Sequence, residues 1–152
     1  MTLTAKDTLL QSVENNIDAY MNLVQIMYDN PEIGNEEFET MALLVDYLDH
    51  AGFKTTSGYV VPTGFIGEYD TGKPGPTIAV MCEFDALPEV GHGCGHNLLG
   101  VGSVAAALAI KDYLKENPHL GKVSVFGAPA EESGYGKAFM ARAGCFNDLD
   151  IA

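Results

Sequence analysis

The chain has 152 residues, of which 47% are hydrophobic, with 17 glycines as punctuation; this suits one α/β domain with a real core. A formal net charge of −13 opposes binding to nucleic-acid phosphates and offers no basic patch to an anionic membrane. An odd count of 3 cysteines and a start, Met1–Asp7, too polar for a signal peptide predict a reducing cytoplasm.

Taken in order, the chain first predicts a helix from Thr4, with Asp7 placed for a capping contact. Leu10, Val13, Ile17, Tyr20, Met21, Val24 and Met27 recur along it at helical spacing as a core-facing stripe, until Asn30-Pro31 stops it. A second helix is predicted from Asn35 as N-cap, burying Phe38, Met41, Ala42, Val45 and Leu48 and ending at Gly52; His50 reads as a surface residue at its end. Extended pieces over 53–61 and 64–69, a turn over 70–76 and a strand over 77–82 read as a hairpin feeding a central strand. His96 opens a helix that runs to about Asn117. Its apolar run Leu98–Ile110 is too short to span a bilayer. The glycines in its small-residue first half cost about 1 kcal/mol each against alanine, which predicts close packing or a needed backbone approach. Pro118 stops the helix, His119 reads as exposed, and a buried strand follows over 122–127. A short helix over 134–143 then leads through 146–152 into a further strand. Strands alternating with helices predict parallel pairing. The fold class is therefore α/β, a mixed, mainly parallel sheet flanked by helices.

The chemistry concentrates between Cys82 and Asn97, on the loop that follows a strand, where open α/β sheets place their sites. Cys94 and His96, two residues apart among glycines, can reach one ion from a tight turn. A Cys-x-His alone is more often a loop cysteine beside a solvated histidine. A second carboxylate-bearing loop, Ala130-Glu131-Glu132-Ser133-Gly134, ends the next strand. Neighbouring glutamates there point in different directions, so one can bind a metal while the other faces substrate as a base. By itself such a pair is most often a solvated loop. Together, Asp85, Cys94, His96, Glu131 and Glu132 supply soft and hard ligands plus a base, the set a hydrolytic zinc or manganese site needs. Cys82 and Cys145 read as small buried residues.

Three stretches carry a family resemblance: Glu83-Phe84-Asp85-Ala86-Leu87-Pro88, Gly91-His92-Gly93-Cys94-Gly95-His96-Asn97 and Pro129-Ala130-Glu131-Glu132. They resemble the N-terminal motifs of the M20 metallopeptidases and amidohydrolases, in the branch of aminobenzoyl-glutamate hydrolases, aminoacylase-like enzymes and dipeptidases. Asn30-Pro31-Glu32 with Glu36-Glu37 resembles the family's first helix-to-helix turn. The resemblance implies a zinc-peptidase-like catalytic domain that hydrolyses an amide bond of N-acyl amino acids or small peptides, using two divalent ions, Zn or Mn, and a water that they activate. It implies Cys94, His96 and Glu132 as metal ligands, Glu131 as general base and Asp85 as the residue orienting a ligand. Glu83 stands where co-catalytic peptidases of the family carry a histidine ligand, and Asn97 favours the aminobenzoyl-glutamate and dipeptidase side. His92 reads as a loop residue behind the ligands.

The resemblance further implies that residues 1–152 form the N-terminal part of the catalytic domain. The lid or dimerisation domain and the remaining histidine ligands are then absent, a homodimer or higher oligomer is expected only of the full-length protein, and this stretch alone is expected to be inactive. Two other readings stay open: a metal-binding but inactive module, and a structural or interaction domain that keeps the fold alone. The acyl group, the amino acid and the native metal are not encoded in these motifs.

Overall fold

A computed structural model describes residues 4–118 and 121–152. In chain order the elements are α1 (Ala5–Glu14), α2 (Ile17–Asp29), α3 (Phe38–His50), β1 (Lys54–Ser57), β2 (Phe65–Asp70), β3 (Thr77–Cys82), α4 (His96–Glu116), β4 (Lys122–Gly127) and α5 (Gly136–Arg142). His119 lies outside the described residues. No described helix is long and apolar enough to cross a membrane.

The strands form one mixed sheet in the order β1-β2-β4-β3. β2 runs antiparallel to both β1 and β4, whereas β3 and β4 are parallel, from Thr77 opposite Lys122 to Cys82 opposite Gly127. The predicted last strand is present as a single parallel bridge of Ile151 to Ile78 on the far side of β3. Period-two alternation sorts the side chains. Phe65, Cys82, Val123 and Val125 face the helices and join Leu23, Met27, Leu44, Leu48, Val104 and Leu108 in the main core. Ile66, Ala79 and Phe126 face the other way, packed by Tyr59, Met81, Phe146 and Leu149.

Two helix predictions need correction. The first helix is broken at Asn15-Asn16. Asn16 Nδ2 donates to the Ser12 carbonyl at 2.9 Å, a local side-chain bond that competes with the helical ladder. The break resets the phase. Tyr20, Leu23 and Met27 are buried, while Leu10, Ile17 and Met21 are about half exposed, so the continuous stripe is not core-facing throughout. The second helix begins at Phe38 rather than beside Asn35, and Asn35 adopts a positive φ of 70° in the preceding turn. The Glu32 carboxylate supplies the capping instead, accepting from the N–H groups of Glu39 at 3.1 Å and Thr40 at 2.6 Å. Thr40, Leu44 and Leu48 are the residues this helix buries, and Phe38 is exposed. By contrast, the Thr4–Asp7 capping box forms as expected.

α4 joins the parallel pair and starts at His96, so its N-terminus and the ends of β3 and β4 lie at one edge of the sheet. The close approach predicted for its glycines is met at Gly100, where a Cβ would lie 2.7 Å from the Glu83 carbonyl oxygen. Gly102 faces open space and has no such reason.

Candidate metal and catalytic site

Parallel pairing sets Cys82 beside Gly127, so the loops that leave β3 and β4 emerge side by side. The first carries Glu83 and Asp85, turns through the glycines, and delivers Cys94 and His96 at the head of α4. Gly95, between them, has φ of 87°, a conformation that a side chain there would strain. The second passes Ala128-Pro129-Ala130 before reaching Glu131 and Glu132, with Ala130 itself at φ 54°.

His96 is 6% exposed and its ring orientation is fixed. Nδ1 lies 3.0 Å from the Asp85 backbone oxygen and 3.0 Å from Asp85 Oδ1. Both are acceptors, so Nδ1 is the donating nitrogen, and Nε2 is the one left to meet an ion. Nε2 faces Glu83 Oε2 at 3.3 Å. Asp85 is fully buried, and its Oδ2 accepts the Glu132 N–H at 3.0 Å. Asp85 thus orients the imidazole through its backbone carbonyl and pins the backbone of the opposite loop through its carboxylate.

Two sets of donors converge on His96. Cys94, His96 and Glu132 have ligand atoms within 4.8 Å of one another, and so do Glu83, His96 and Glu131. The adjacent glutamates point to different sets, as the strand-end argument requires. Cys94 is exposed, and its thiol is held above the ordinary range by burial of the sulfur and by its contact with the Glu132 carboxylate. A thiol, an imidazole with one free nitrogen and a carboxylate suit a borderline divalent ion such as zinc. The Asp85 hydrogen bond behind the histidine is the usual outer support of such a ligand.

Lys137, from α5, completes the charge pattern. Its ammonium group hydrogen-bonds Glu83 Oε1 and lies 3.5 Å from Glu131 Oε1. Burial opposes its charge, yet the two carboxylates outweigh that and raise its pKa. His92 is buried behind the site, where burial and then the neighbouring His96 lower its pKa, so it stands as a neutral ring. Cys82 is fully buried, as expected, while Cys145 is only partly so.

Sequence reasoning missed three residues here. Glu83 was legible only as a departure from a histidine ligand, and Lys137 carries no local signal. Glu37 was visible as part of a turn, but its side chain reaches far from there. It is wholly buried, accepts the Ala130 N–H at 2.7 Å and the Thr63 hydroxyl at 2.8 Å, and so anchors the loop that presents Glu131 and Glu132. Burial raises its pKa despite these bonds. The same turn is tied to the first loop by the Ala86 N–H, which donates to the Glu32 carbonyl at 2.8 Å.

No family model matches the chain. Among curated proteins, it is 38% identical over 159 residues to a subunit of the p-aminobenzoyl-glutamate hydrolase of Escherichia coli, covering 93% of this chain and 33% of that protein. It is 34% identical over 144 residues to a human Xaa-Arg dipeptidase, covering 85% and 33% respectively. The chain thus spans about a third of the length of these relatives. Among solved structures, a dinuclear metal binding peptidase from the M20 family of Bacillus subtilis superposes with a TM-score of 0.73 at 24% identity, over 88% of this chain and 41% of that one. The aminobenzoyl-glutamate utilization protein of Klebsiella pneumoniae gives 0.76 at 23% identity, over 94% and 44%. These two likenesses establish the fold. With the sequence matches, they bear out the resemblance of this chain to the M20 metallopeptidases and amidohydrolases.

Proposed function

We propose that this chain carries the first half of the active site of a metal-dependent hydrolase acting on the amide bond of an N-acyl amino acid or small peptide, within a longer polypeptide whose remaining ligands lie beyond these 152 residues. The observation that carries the reading is the convergence of Cys94, His96 and Glu132 on one point, with the His96 ring fixed by Asp85 so that one nitrogen stays free. Cys94, His96 and Glu132 would hold the divalent metal, zinc or manganese. When bound, it would supply Lewis acidity to a water and to the amide carbonyl.

The chain's own residues then divide the work. Glu131, its side chain 36% exposed, stands beside the ligands with its carboxylate open to solvent, placed to take a proton from an attacking water and return it to the departing amine. Asp85 is a positioning residue. It keeps the His96 proton on Nδ1 and holds the Glu132 backbone, so both ligands stay fixed while protons move.

The relatives named for p-aminobenzoyl-glutamate and for Xaa-Arg dipeptides support an amide substrate with an amino-acid leaving group. The test is amide hydrolysis by the full-length polypeptide, with metal content measured alongside. Glu131→Gln should lower turnover by orders of magnitude and keep the metal, whereas undiminished turnover would remove Glu131 from the role of base. A Cys94→Ser chain that keeps its metal would remove the thiol from the ligand set.

A further inference from the structure

Both donor sets use His96, yet its Nδ1 is engaged by Asp85, so one nitrogen is left for two places. An ion ligated by Cys94 and Glu132 and an ion ligated by Glu83 and Glu131 therefore cannot both take His96 as a ligand. The two sets differ in chemistry. The first contains a thiolate and favours softer ions, while the second is nitrogen and oxygen only and favours harder ones. On the second side a cation is already built in, since Lys137 bridges Glu83 and Glu131. Among the described residues, no other lysine or arginine forms an ion pair with these carboxylates.

We propose that Lys137 selects the metal-binding side of His96: by neutralising Glu83 and Glu131 it denies them an ion of their own, leaves Glu131 unligated, and commits the imidazole to Cys94 and Glu132. The consequence rests on the ligand assignment proposed above. It makes Lys137 a specificity-determining residue of the metal site rather than a structural ion pair. Lysine suits this task because its ammonium is a compact point charge that can sit between two carboxylates without the planar fork of arginine.

Cobalt(II) titrated into the 152-residue chain is a direct probe, because a thiolate ligand adds a sulfur-to-cobalt charge-transfer band that nitrogen and oxygen ligands do not give. Wild type should show that band, and Cys94→Ser should lose it. Lys137→Met, with Lys137→Gln as a second variant of similar length, should lose most of the band while gaining cobalt binding that persists in a Cys94→Ser background and disappears in a Glu83→Gln background. Manganese(II) affinity should rise in the same two variants. If both lysine variants keep the wild-type band and gain no Glu83-dependent binding, the selection role is overturned. Absence of the band from wild type would instead overturn the Cys94 assignment, and the lysine variants still decide the role of Lys137 through Glu83-dependent binding.

Discussion

The two walls of the site are built differently. The wall from β3 and the head of α4 is buried: Asp85 is fully enclosed, His96 is 6% exposed, and the His96 ring is tied to the Asp85 carbonyl while the Asp85 carboxylate takes the Glu132 N–H. The wall from the β4 loop is open, with Glu131 and Glu132 standing at the surface and Cys94 exposed beside them. The buried groups set direction, and the exposed groups meet ion, water and substrate. Stability and chemistry should therefore separate by wall. Substitutions on the open side should cost function at constant stability, and those on the buried side should cost both.

The widest separation is expected at Glu131. Glu131→Gln should lower amide hydrolysis by the full-length polypeptide by about 10²–10⁴-fold, the usual worth of a positioned base, while the urea midpoint of this chain stays unchanged. Kinetics paired with denaturation would reveal a coupled loss, which would break the distinction. Next comes Glu37, the buried support behind the open wall. Glu37→Ala leaves the Ala130 N–H and Thr63 hydroxyl without their acceptor in a buried place, so unfolding free energy should fall by about 2–4 kcal/mol. Asp85→Asn tests the other wall. It keeps the shape but removes the charge that faces the His96 N–H, and metal affinity should drop by about 10–100-fold, readable by chelator competition.

The weakest signature is a pH dependence. Burial holds the folded pKa of Glu37 above its unfolded value, so the folded chain binds more protons there. Stability from this group is therefore present at low pH and declines as pH rises from the unfolded carboxylate range through the raised folded value. Glu37→Gln should flatten that part of the stability curve, and a curve of unchanged slope would show that another group produces it.

Sequence reading reached the two walls unequally. Cys94, Asp85 and His96 were legible because they sit within a dozen residues on one loop, and the helix predicted from His96 begins there. Glu131 and Glu132 were legible as the end of the next strand, though not the positive φ of Ala130 before them. The charges that link the walls were not legible. Glu37 is 93 residues from Ala130, and Lys137 is 54 from Glu83; such pairs leave no periodic trace, because the fold alone brings them together. The helix break at Asn15-Asn16 was hidden for a local reason. Apolar spacing continues through it, and only the competing side-chain bond of Asn16 shows that the ladder stops. The sheet illustrates a third case. Alternation of helix and strand foretold the β3–β4 parallel pair, but the antiparallel β2–β4 neighbour depends on which edge the hairpin joins, and strand patterns do not encode that.

Both walls have a purpose only if Cys94, His96 and Glu132 hold an ion, and the metal content of the dialysed chain decides that. Elemental analysis should find zinc or manganese retained by wild type and lost from Cys94→Ser, with both proteins equally folded by circular dichroism. Metal in neither, or equal metal in both, would contradict the assignment.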